Sequence, residues 1–278
     1  MKAATYDYAK PLACDEAIAL IGQTEGMGKF VSGSQSLGPM MNLRLAQPDM
    51  LVELRGIAAL RACGIEGETV TLGACVTHAE IEDGKVETGT RGLMEYVARG
   101  IAYRAVRNRG TLGGSLAHAD PAADWISTMC ALDAQFLVAG PRGPRVIDGR
   151  DWMAGAFTTA LEADEILTGV RFARLSPTAR WSYYKFNRKP GEFAEAIAVF
   201  IDDSARGVCR AVIGAIDAPP LAIDDARDLL RDADPQTSCF DAHLAAVGIQ
   251  AGSYEHEVHR VALVRAAAGI RNRDGKAS

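Results

Sequence analysis

The sequence lacks the short motifs that would mark a metal cluster, a Rossmann nucleotide site or a P-loop. It contains no CxxC pair, no GxGxxG and no GxxxxGK[ST]. These absences exclude a recognisable zinc or iron–sulfur ligand set within this chain, a dinucleotide held in Rossmann fashion and a P-loop ATPase or kinase. The six cysteines are widely spaced, and we expect most of them to be buried thiols: Cys14, Cys63, Cys75, Cys130, Cys209 and Cys239.

Long apolar runs and a strong charge imbalance are also missing. No run approaches the length of about 20 residues that spans a bilayer, and the first residues lack a signal-peptide core. The formal net charge of −5 is modest and spread along the chain, which argues against nucleic acid as the main partner. We therefore expect a cytoplasmic protein without a membrane span. Its 278 residues, 48% of them apolar, predict two or three packed subdomains.

Motifs for hydrolysis and for metalloprotease chemistry are incomplete. His118 beside Asp120 could orient a general base, but no Ser or Cys stands in a nucleophile-elbow context. At residues 256–259 the two histidines of HEVH are three positions apart, whereas a zinc-binding HExxH helix needs four. We therefore predict neither a catalytic residue nor a metal ligand, and we interpret HEVH as a solvated face of the last helix.

The most specific feature is the stretch RNRGTLGGSLAHADPAADW at residues 107–125. Its glycines permit positive φ and close backbone approach, and small hydroxyl side chains lie between them. The stretch predicts a loop whose successive N–H groups bind an anion, followed by a helix that begins near Pro121. The competing interpretation is an ordinary glycine turn before a helix.

A second loop of the same chemical type, SGSQS at residues 32–36, follows an apolar run that predicts a strand. The two loops begin 75 residues apart, and together they could hold two parts of one phosphate-containing ligand. A nucleotide-type cofactor is therefore favoured. Residue chemistry alone does not name it.

Hydrophobic spacing predicts further elements around these loops. Helices are expected over 15–21, 92–106, 125–132, 224–231 and the tail from residue 253, and a short helix is expected to begin at Thr77 with Glu80 as its capping partner. Strands are expected at 30–31, 50–54, 69–74, 134–139, 145–147, 166–172, 181–187, 194–202 and 207–216. The polar break at 175–178 is the predicted domain boundary.

The two loops, in this order and at this separation, resemble the FAD-binding loops of the medium, flavoprotein subunit of molybdenum hydroxylases. That family includes the carbon monoxide dehydrogenase medium subunit and the FAD domain of xanthine dehydrogenase. Segments such as TLGACVTHAEIE and YYKFNRKPGEFAEAIA extend the resemblance over nearly the whole chain. It implies an α+β chain: a p-cresol methylhydroxylase-type FAD-binding domain over 1–176, made of two α/β subdomains at about 1–56 and 57–176, and a small α+β C-terminal domain over 177–278.

The resemblance also implies a function. Substrate is oxidised at a molybdenum cofactor in a large subunit, electrons pass through iron–sulfur clusters in a small subunit, and FAD in this chain transfers them to a terminal acceptor. We therefore expect a heterotrimer and a dimer of such heterotrimers. Two alternatives stay open: a self-contained flavin-dependent oxidase, and a structural assembly subunit without FAD.

Matching positions in the family imply a set of cofactor-binding residues: Ser32, Gly33, Ser34, Gln35, Ser36, Leu37, Thr111, Gly113, Gly114, Ser115, Asp120, Ala123, Asp124, Lys185 and Phe193. Three departures from the family pattern matter. Ser34 stands where the family has glycine, and Phe193 stands where relatives often have Tyr or Trp. No histidine lies in the first loop, so we expect noncovalent FAD.

Overall fold

Three β-sheets of three to five strands, each with its helices, follow one another along the chain in the computed structural model, which describes residues 2–231 and 239–272. The first sheet is parallel and the other two are antiparallel. Helices pack on all three sheets, so the architecture is α+β. None of the described helices is long and apolar enough to cross a membrane.

The first sheet has three strands in the order β1-β3-β2, and two helices lie between them. The elements are β1 (Asp7–Ala9), α1 (Cys14–Gly22), β2 (Gly28–Val31), α2 (Leu37–Asn42) and β3 (Met50–Glu53). Helix α1 buries Ala17 and Ile18 against Val52 and Leu54. Because the strands are parallel, their carboxyl ends meet at one edge of the sheet. The loop at 32–36 lies at that edge, directly after β2.

The second sheet has five strands in the order β4-β5-β10-β6-β7. Its strands are β4 (Cys63–Glu66), β5 (Thr69–Gly73), β6 (Gln135–Gly140), β7 (Gly143–Asp148) and β10 (Ile166–Ala173). Between β5 and β6 the chain forms α3 (His78–Glu82), α4 (Leu93–Arg99), α5 (Arg104–Arg107), α6 (Leu112–His118) and α7 (Asp124–Ala131). After β7 come α8 (Gly149–Trp152) and the small hairpin β8 (Met153–Gly155) with β9 (Thr158–Thr159).

The start of α3 confirms the predicted capping box. The Thr77 hydroxyl accepts a hydrogen bond from the Glu80 N–H at 3.2 Å, and the Glu80 carboxylate accepts from the Thr77 N–H at 2.9 Å. Two otherwise unsatisfied backbone donors are thereby paired.

Three predictions of secondary structure need correction. The expected helix over 92–106 is divided into α4 and α5, because the chain turns at Ala102, which has a left-handed φ of 44°. The stretch expected to be a glycine loop contains helix α6, whose N-cap is Thr111. Helix α7 begins at Asp124 and not at Pro121, which lies in the turn that separates α6 from α7.

The third sheet has four strands: β11 (Arg180–Phe186), β12 (Ala196–Asp203), β13 (Val208–Gly214) and β14 (Leu221–Ile223). It is followed by α9 (Arg227–Arg231), α10 (Asp241–Ala246) and α11 (Tyr254–Asn272). Strand β12 is buried on both faces, since side chains alternate between the face covered by α7 and the face covered by α11. The segment 175–178, the predicted domain boundary, lies between β10 and β11; the division there stays a prediction.

Candidate functional site

The loop at 32–36 leaves a row of backbone donors unpaired. Among the described residues, no protein oxygen accepts a hydrogen bond from the backbone N–H groups of residues 33–37. Ser34 has a left-handed φ of 59°, which turns the chain sharply within this row. Successive N–H groups in such a turn form a concavity that binds anions. The loop is therefore suited to a phosphate group.

The glycine stretch lies directly against this loop. The Ser32 and Thr111 hydroxyl oxygens are 2.9 Å apart. A Cβ atom added at Gly33 would overlap the carbonyl oxygen of Arg109 and would lie 2.7 Å from the Cα of Gly110. The two predicted loops thus contact each other through backbone atoms, and glycine at position 33 is required for that approach.

Four successive N–H groups of the glycine stretch, those of residues 112–115, are used within the protein, contrary to the prediction. The N–H groups of Leu112 and Gly113 donate to carbonyl oxygens of the segment after β5, at 2.9 and 2.8 Å. Those of Gly114 and Ser115 donate to the side chain and the carbonyl of Thr111, at 3.1 and 3.0 Å. The stretch therefore does not offer a second row of free donors, because α6 begins inside it.

The His78 ring packs against Gly110 of the glycine stretch. Its Nδ1 accepts a hydrogen bond from Trp125 Nε1 at 3.0 Å, and its ring would be 2.9 Å from a Cβ at Gly110. Burial, with a further contribution from the positive charge of Arg107, lowers the pKa of His78 to about 3. The imidazole is consequently neutral at physiological pH.

A buried ion pair follows the glycine stretch. Lys185 Nζ donates to Asp124 Oδ2 at 2.9 Å, and the two side chains are 10% and 5% exposed. The Tyr183 hydroxyl donates to Asp124 Oδ1 at 2.6 Å. Burial and the neighbouring Asp124 carboxylate raise the pKa of Tyr183 well above its usual value. Both oxygens of Asp124 therefore have a donor.

Sequence analysis predicted Asp124 and Lys185 but missed Tyr183. Tyr183 and Lys185 are two positions apart on β11, so their side chains point to the same face of the sheet. This alternation along β11 is the sequence signal that could have identified Tyr183. Cys75 was also missed as a neighbour of the site; its Sγ lies 3.5 Å from Ser32 Oγ.

The remaining predicted residues lie in three places. Gln35 turns back on the first loop, where its side-chain amide donates to the Gly33 carbonyl at 2.8 Å. Ser36 and Leu37 are the N-cap and the first residue of α2. In the turn before α7, Asp120 accepts a hydrogen bond from the Ala122 N–H at 2.9 Å, and Ala123 is the N-cap.

Phe193 is 61% exposed and lies on the loop between β11 and β12. The N–H of its neighbour Ala194 donates to the Ala122 carbonyl at 3.4 Å. The predicted residues thus form two groups, one around the first loop and Thr111, the other around Asp124 and Lys185. Helix α6 and the turn after it connect the two groups.

The histidines of α11 lie in the core, so the interpretation of a solvated face is wrong for them. His256 and His259 are 8% and 1% exposed. His259 contacts three backbone carbonyl oxygens at 2.9 to 3.2 Å. The described part of the chain contains no cluster of three or more His, Cys, Asp or Glu that could hold a metal ion.

The cysteine prediction is correct in part. Cys75 and Cys209 are buried, whereas Cys63 is exposed and the others are half-buried. Burial raises the pKa of the Cys75 thiol.

Comparison with known proteins identifies the family. Residues 4–174 match the family described as the FAD binding domain in molybdopterin dehydrogenase. The carbon monoxide dehydrogenase medium chain of Hydrogenophaga pseudoflava is 34% identical over 78% of this chain and 76% of its own length. The nicotine 6-hydroxylase medium subunit of Paenarthrobacter nicotinovorans is 34% identical over 93% of this chain and 91% of its own length.

Solved structures give the same result for the fold. A chain of carbon monoxide dehydrogenase from Hydrogenophaga pseudoflava superimposes with a TM-score of 0.87 at 27% identity, over 98% of this chain and 99% of that one. A chain of quinoline 2-oxidoreductase from Pseudomonas putida 86 gives a TM-score of 0.87 at 29% identity, with the same coverage. The predicted α+β fold and the predicted family are confirmed. The chain belongs to the medium, FAD-binding subunits of the molybdenum hydroxylase family, and it is an oxidoreductase subunit.

Proposed function

We propose that this chain passes electrons from iron–sulfur clusters of a partner small subunit, through FAD, to a terminal acceptor. In this proposal a large subunit holds the molybdenum cofactor and oxidises the substrate. The designations "medium chain" and "medium subunit" of the relatives support a multi-subunit assembly. We propose a heterotrimer, and a dimer of heterotrimers as the complete enzyme.

The observation that carries the proposal is the row of unpaired N–H groups at 33–37. A diphosphate needs several donors, and backbone N–H groups in a tight turn supply them without a flexible side chain. Gly33 brings the row against the backbone of Arg109 and Gly110, so the donors are held in place by a second segment. The residues present therefore fit the diphosphate of FAD.

FAD, when bound, supplies a group that accepts and donates electrons one or two at a time. The residues of this chain bind and orient it. The N–H groups of 33–37 hold the diphosphate, and the hydroxyls of Ser32 and Thr111 keep the two segments together.

The second group, around Asp124 and Lys185, places a hydrogen-bonded ion pair beside the proposed cofactor position. Lys185 and Asp124 form an ion pair, and the Tyr183 hydroxyl donates a hydrogen bond to the other carboxylate oxygen of Asp124. We propose that Asp120, Ala123 and Ser115 line the cofactor from the glycine-stretch side. Phe193 supplies an exposed ring for stacking, without the hydroxyl that Tyr would add.

We propose that FAD is bound noncovalently. The side chains of residues 32–37 are hydroxyl, amide and aliphatic groups, and none of them is a histidine. The test is to reconstitute the purified full-length chain with FAD, remove excess FAD and precipitate the protein with acid. FAD released into the supernatant supports the proposal, and yellow colour that stays in the pellet contradicts it. A reconstituted protein without flavin absorbance would instead favour a structural subunit.

The role in a complex has its own test. The chain purified alone with FAD should show no turnover of organic substrates with oxygen. Co-purification of the intact complex, followed by molybdenum and iron analysis and a substrate screen, should give both metals and a dehydrogenase activity. Turnover by the isolated chain would contradict the proposal and favour a self-contained oxidase.

Two further points belong to this proposal. We place the domain division at 1–176 and 177–278, a division that limited proteolysis within 175–178 would support. We also place the complex in the cytoplasm.

A further inference from the structure

Arg55 lies at the same sheet edge as the phosphate-suited loop. Strands β2 and β3 are parallel neighbours, with Val31 opposite Glu53, and the Leu54 N–H donates to the Val31 carbonyl at 2.8 Å. Adjacent strands are about 4.8 Å apart. The segments that continue from these strands, 32–36 and 54–57, therefore leave the sheet side by side, with Arg55 two residues beyond the last pair.

The guanidinium of Arg55 has no acceptor among the residues that the structure describes. Its Nε is sealed from solvent and has no hydrogen-bond partner, and no ion pair or hydrogen bond to its other nitrogens occurs within residues 2–231 and 239–272. Other half-buried arginines are paired: Arg107 with Glu82 and Arg210 with Asp133. A half-buried cation without a partner is unfavourable, so an anion from outside the chain would be stabilised there.

The positive charge of Arg55 acts on Cys75, which lies beside Ser32 at the start of the first loop. Burial is the main cause of the raised pKa of the Cys75 thiol, and the Ser32 hydroxyl and the positive charges of Arg61 and Arg55 oppose the rise. Cys75 Sγ is 3.5 Å from Ser32 Oγ. Arg55 is therefore an electrostatic neighbour of the residue that opens the loop.

We propose that Arg55 is a phosphate-binding residue of this subunit, whose guanidinium pairs with the diphosphate of FAD held by the N–H groups of 33–37. This inference rests on the proposed function and names a residue that the resemblance did not include. The guanidinium offers several donors in a planar fork that suits phosphate oxygens. The N–H groups fix the position of the diphosphate, and Arg55 neutralises part of its charge.

The test compares Arg55→Gln, which keeps much of the length and removes the charge, with Arg55→Lys, which keeps the charge and removes the fork. Arg142→Gln is the control, because Arg142 is 69% exposed and lies at the turn between β6 and β7 rather than in the first loop or in the segment 54–57. The dissociation constant for FAD is measured by flavin fluorescence on the full-length chain at about 0.05 M and about 1 M salt. These conditions change the Debye length from more than about 10 Å to about 3 Å.

We expect Arg55→Gln to bind FAD at least about tenfold more weakly at low salt, and Arg55→Lys to lie between it and the wild type. The difference should shrink at high salt, because charge pairing is screened. Arg142→Gln should bind like the wild type. A dissociation constant for Arg55→Gln within about twofold of wild type, or an equal loss at both salts, would overturn the assignment.

Thermal unfolding separates this role from a structural one. Without FAD, Arg55→Gln should unfold at the same or a higher temperature than the wild type, because it removes an unpaired half-buried charge. Saturating FAD should raise the unfolding temperature of the wild type more than that of the variant. A lower unfolding temperature of the FAD-free variant would show a structural role and overturn the assignment. If the wild type binds no FAD, the proposed function is wrong. If the wild type binds FAD and Arg55→Gln binds it equally well, only the assignment of Arg55 is wrong.

Discussion

The two small-residue segments, 32–36 and 111–115, look alike in sequence but differ in what their backbones do. In the first, five successive N–H groups at 33–37 have no acceptor among the described residues. In the second, the N–H groups of 112–115 are all bonded within the protein, because Thr111 caps helix α6. The first segment therefore offers free backbone donors to a ligand, whereas the N–H groups of 112–115 are already bonded within the protein.

We expect FAD affinity to depend mainly on the first segment and the stability of the FAD-free protein mainly on the second. Changes in the first loop should alter FAD affinity more than the stability of the FAD-free protein. Changes in the second segment and in the residues that follow it should alter the FAD-free protein itself. Four variants test this division, beginning with the largest expected effect and ending with the smallest.

The largest effect is expected for Asp124→Ala. The change leaves Lys185 and the Tyr183 hydroxyl buried without their acceptor, and removal of one partner of a buried ion pair costs about 3–5 kcal/mol. Urea unfolding of the FAD-free protein measures the loss. Asp228→Ala, at an exposed pair with Arg231, is the control, with at most about 1 kcal/mol expected. If FAD-free Asp124→Ala were as stable as the wild type, the claim that residues after the second segment stabilise the FAD-free protein would be wrong.

His78 should make the support beneath the glycine stretch sensitive to acid. In the unfolded chain a histidine binds a proton near pH 6.5, whereas folded His78 stays neutral down to a pKa of about 3. Its contribution is complete above pH 6.5 and falls as the pH decreases, by up to about 1.4 kcal/mol per pH unit. His78→Gln keeps an acceptor for Trp125 Nε1 and removes the titration. Between pH 7 and 5 the wild type should lose up to about 2 kcal/mol more than this variant; equal losses in urea unfolding would refute the prediction.

Gly113→Ala should destabilise the FAD-free protein by about 1–3 kcal/mol, as overpacking does. An added Cβ would overlap that of Ala74 and would lie 2.8 Å from the Ala74 carbonyl oxygen. Gly64→Ala, where an added Cβ meets nothing within 4 Å, is the matched control and should unfold within about 0.5 kcal/mol of wild type. If Gly113→Ala changed FAD affinity while stability stayed the same, the second segment would be a ligand-binding loop after all.

The smallest effect is expected for Ser34→Gly. Ser34 has a left-handed φ of 59°, which glycine adopts without strain, so the variant should bind FAD as tightly as wild type or up to about fivefold more tightly. FAD titration followed by fluorescence measures this. A weaker complex would show that the Ser34 hydroxyl is itself a ligand of the cofactor.

The sequence predicted the local features whose signal lies within a few residues. The capping box of Thr77 and Glu80, the strand before the first loop and the hairpin over 135–148 are all present. These features depend on neighbouring residues, and sequence patterns report such neighbours directly. The resemblance predicted the family and the fold class correctly.

Features that depend on distant contacts were not predictable in the same way. The glycine stretch was expected to be a loop because its glycines permit positive φ and close backbone approach, but Thr111 and contacts with the segment after β5 stabilise α6 there. The pair of Tyr183 and Asp124 joins residues 59 positions apart. The unpaired guanidinium of Arg55 becomes visible only when its surroundings are known.

Amide hydrogen exchange with and without FAD tests the central claim most directly, since it reports each row of N–H groups separately. We predict that amides 33–37 exchange fast in the FAD-free protein and slowly in the complex, whereas amides 112–115 are protected in both. With FAD binding verified by absorbance, unchanged exchange at 33–37 would contradict the account, and so would protection that appears only at 112–115.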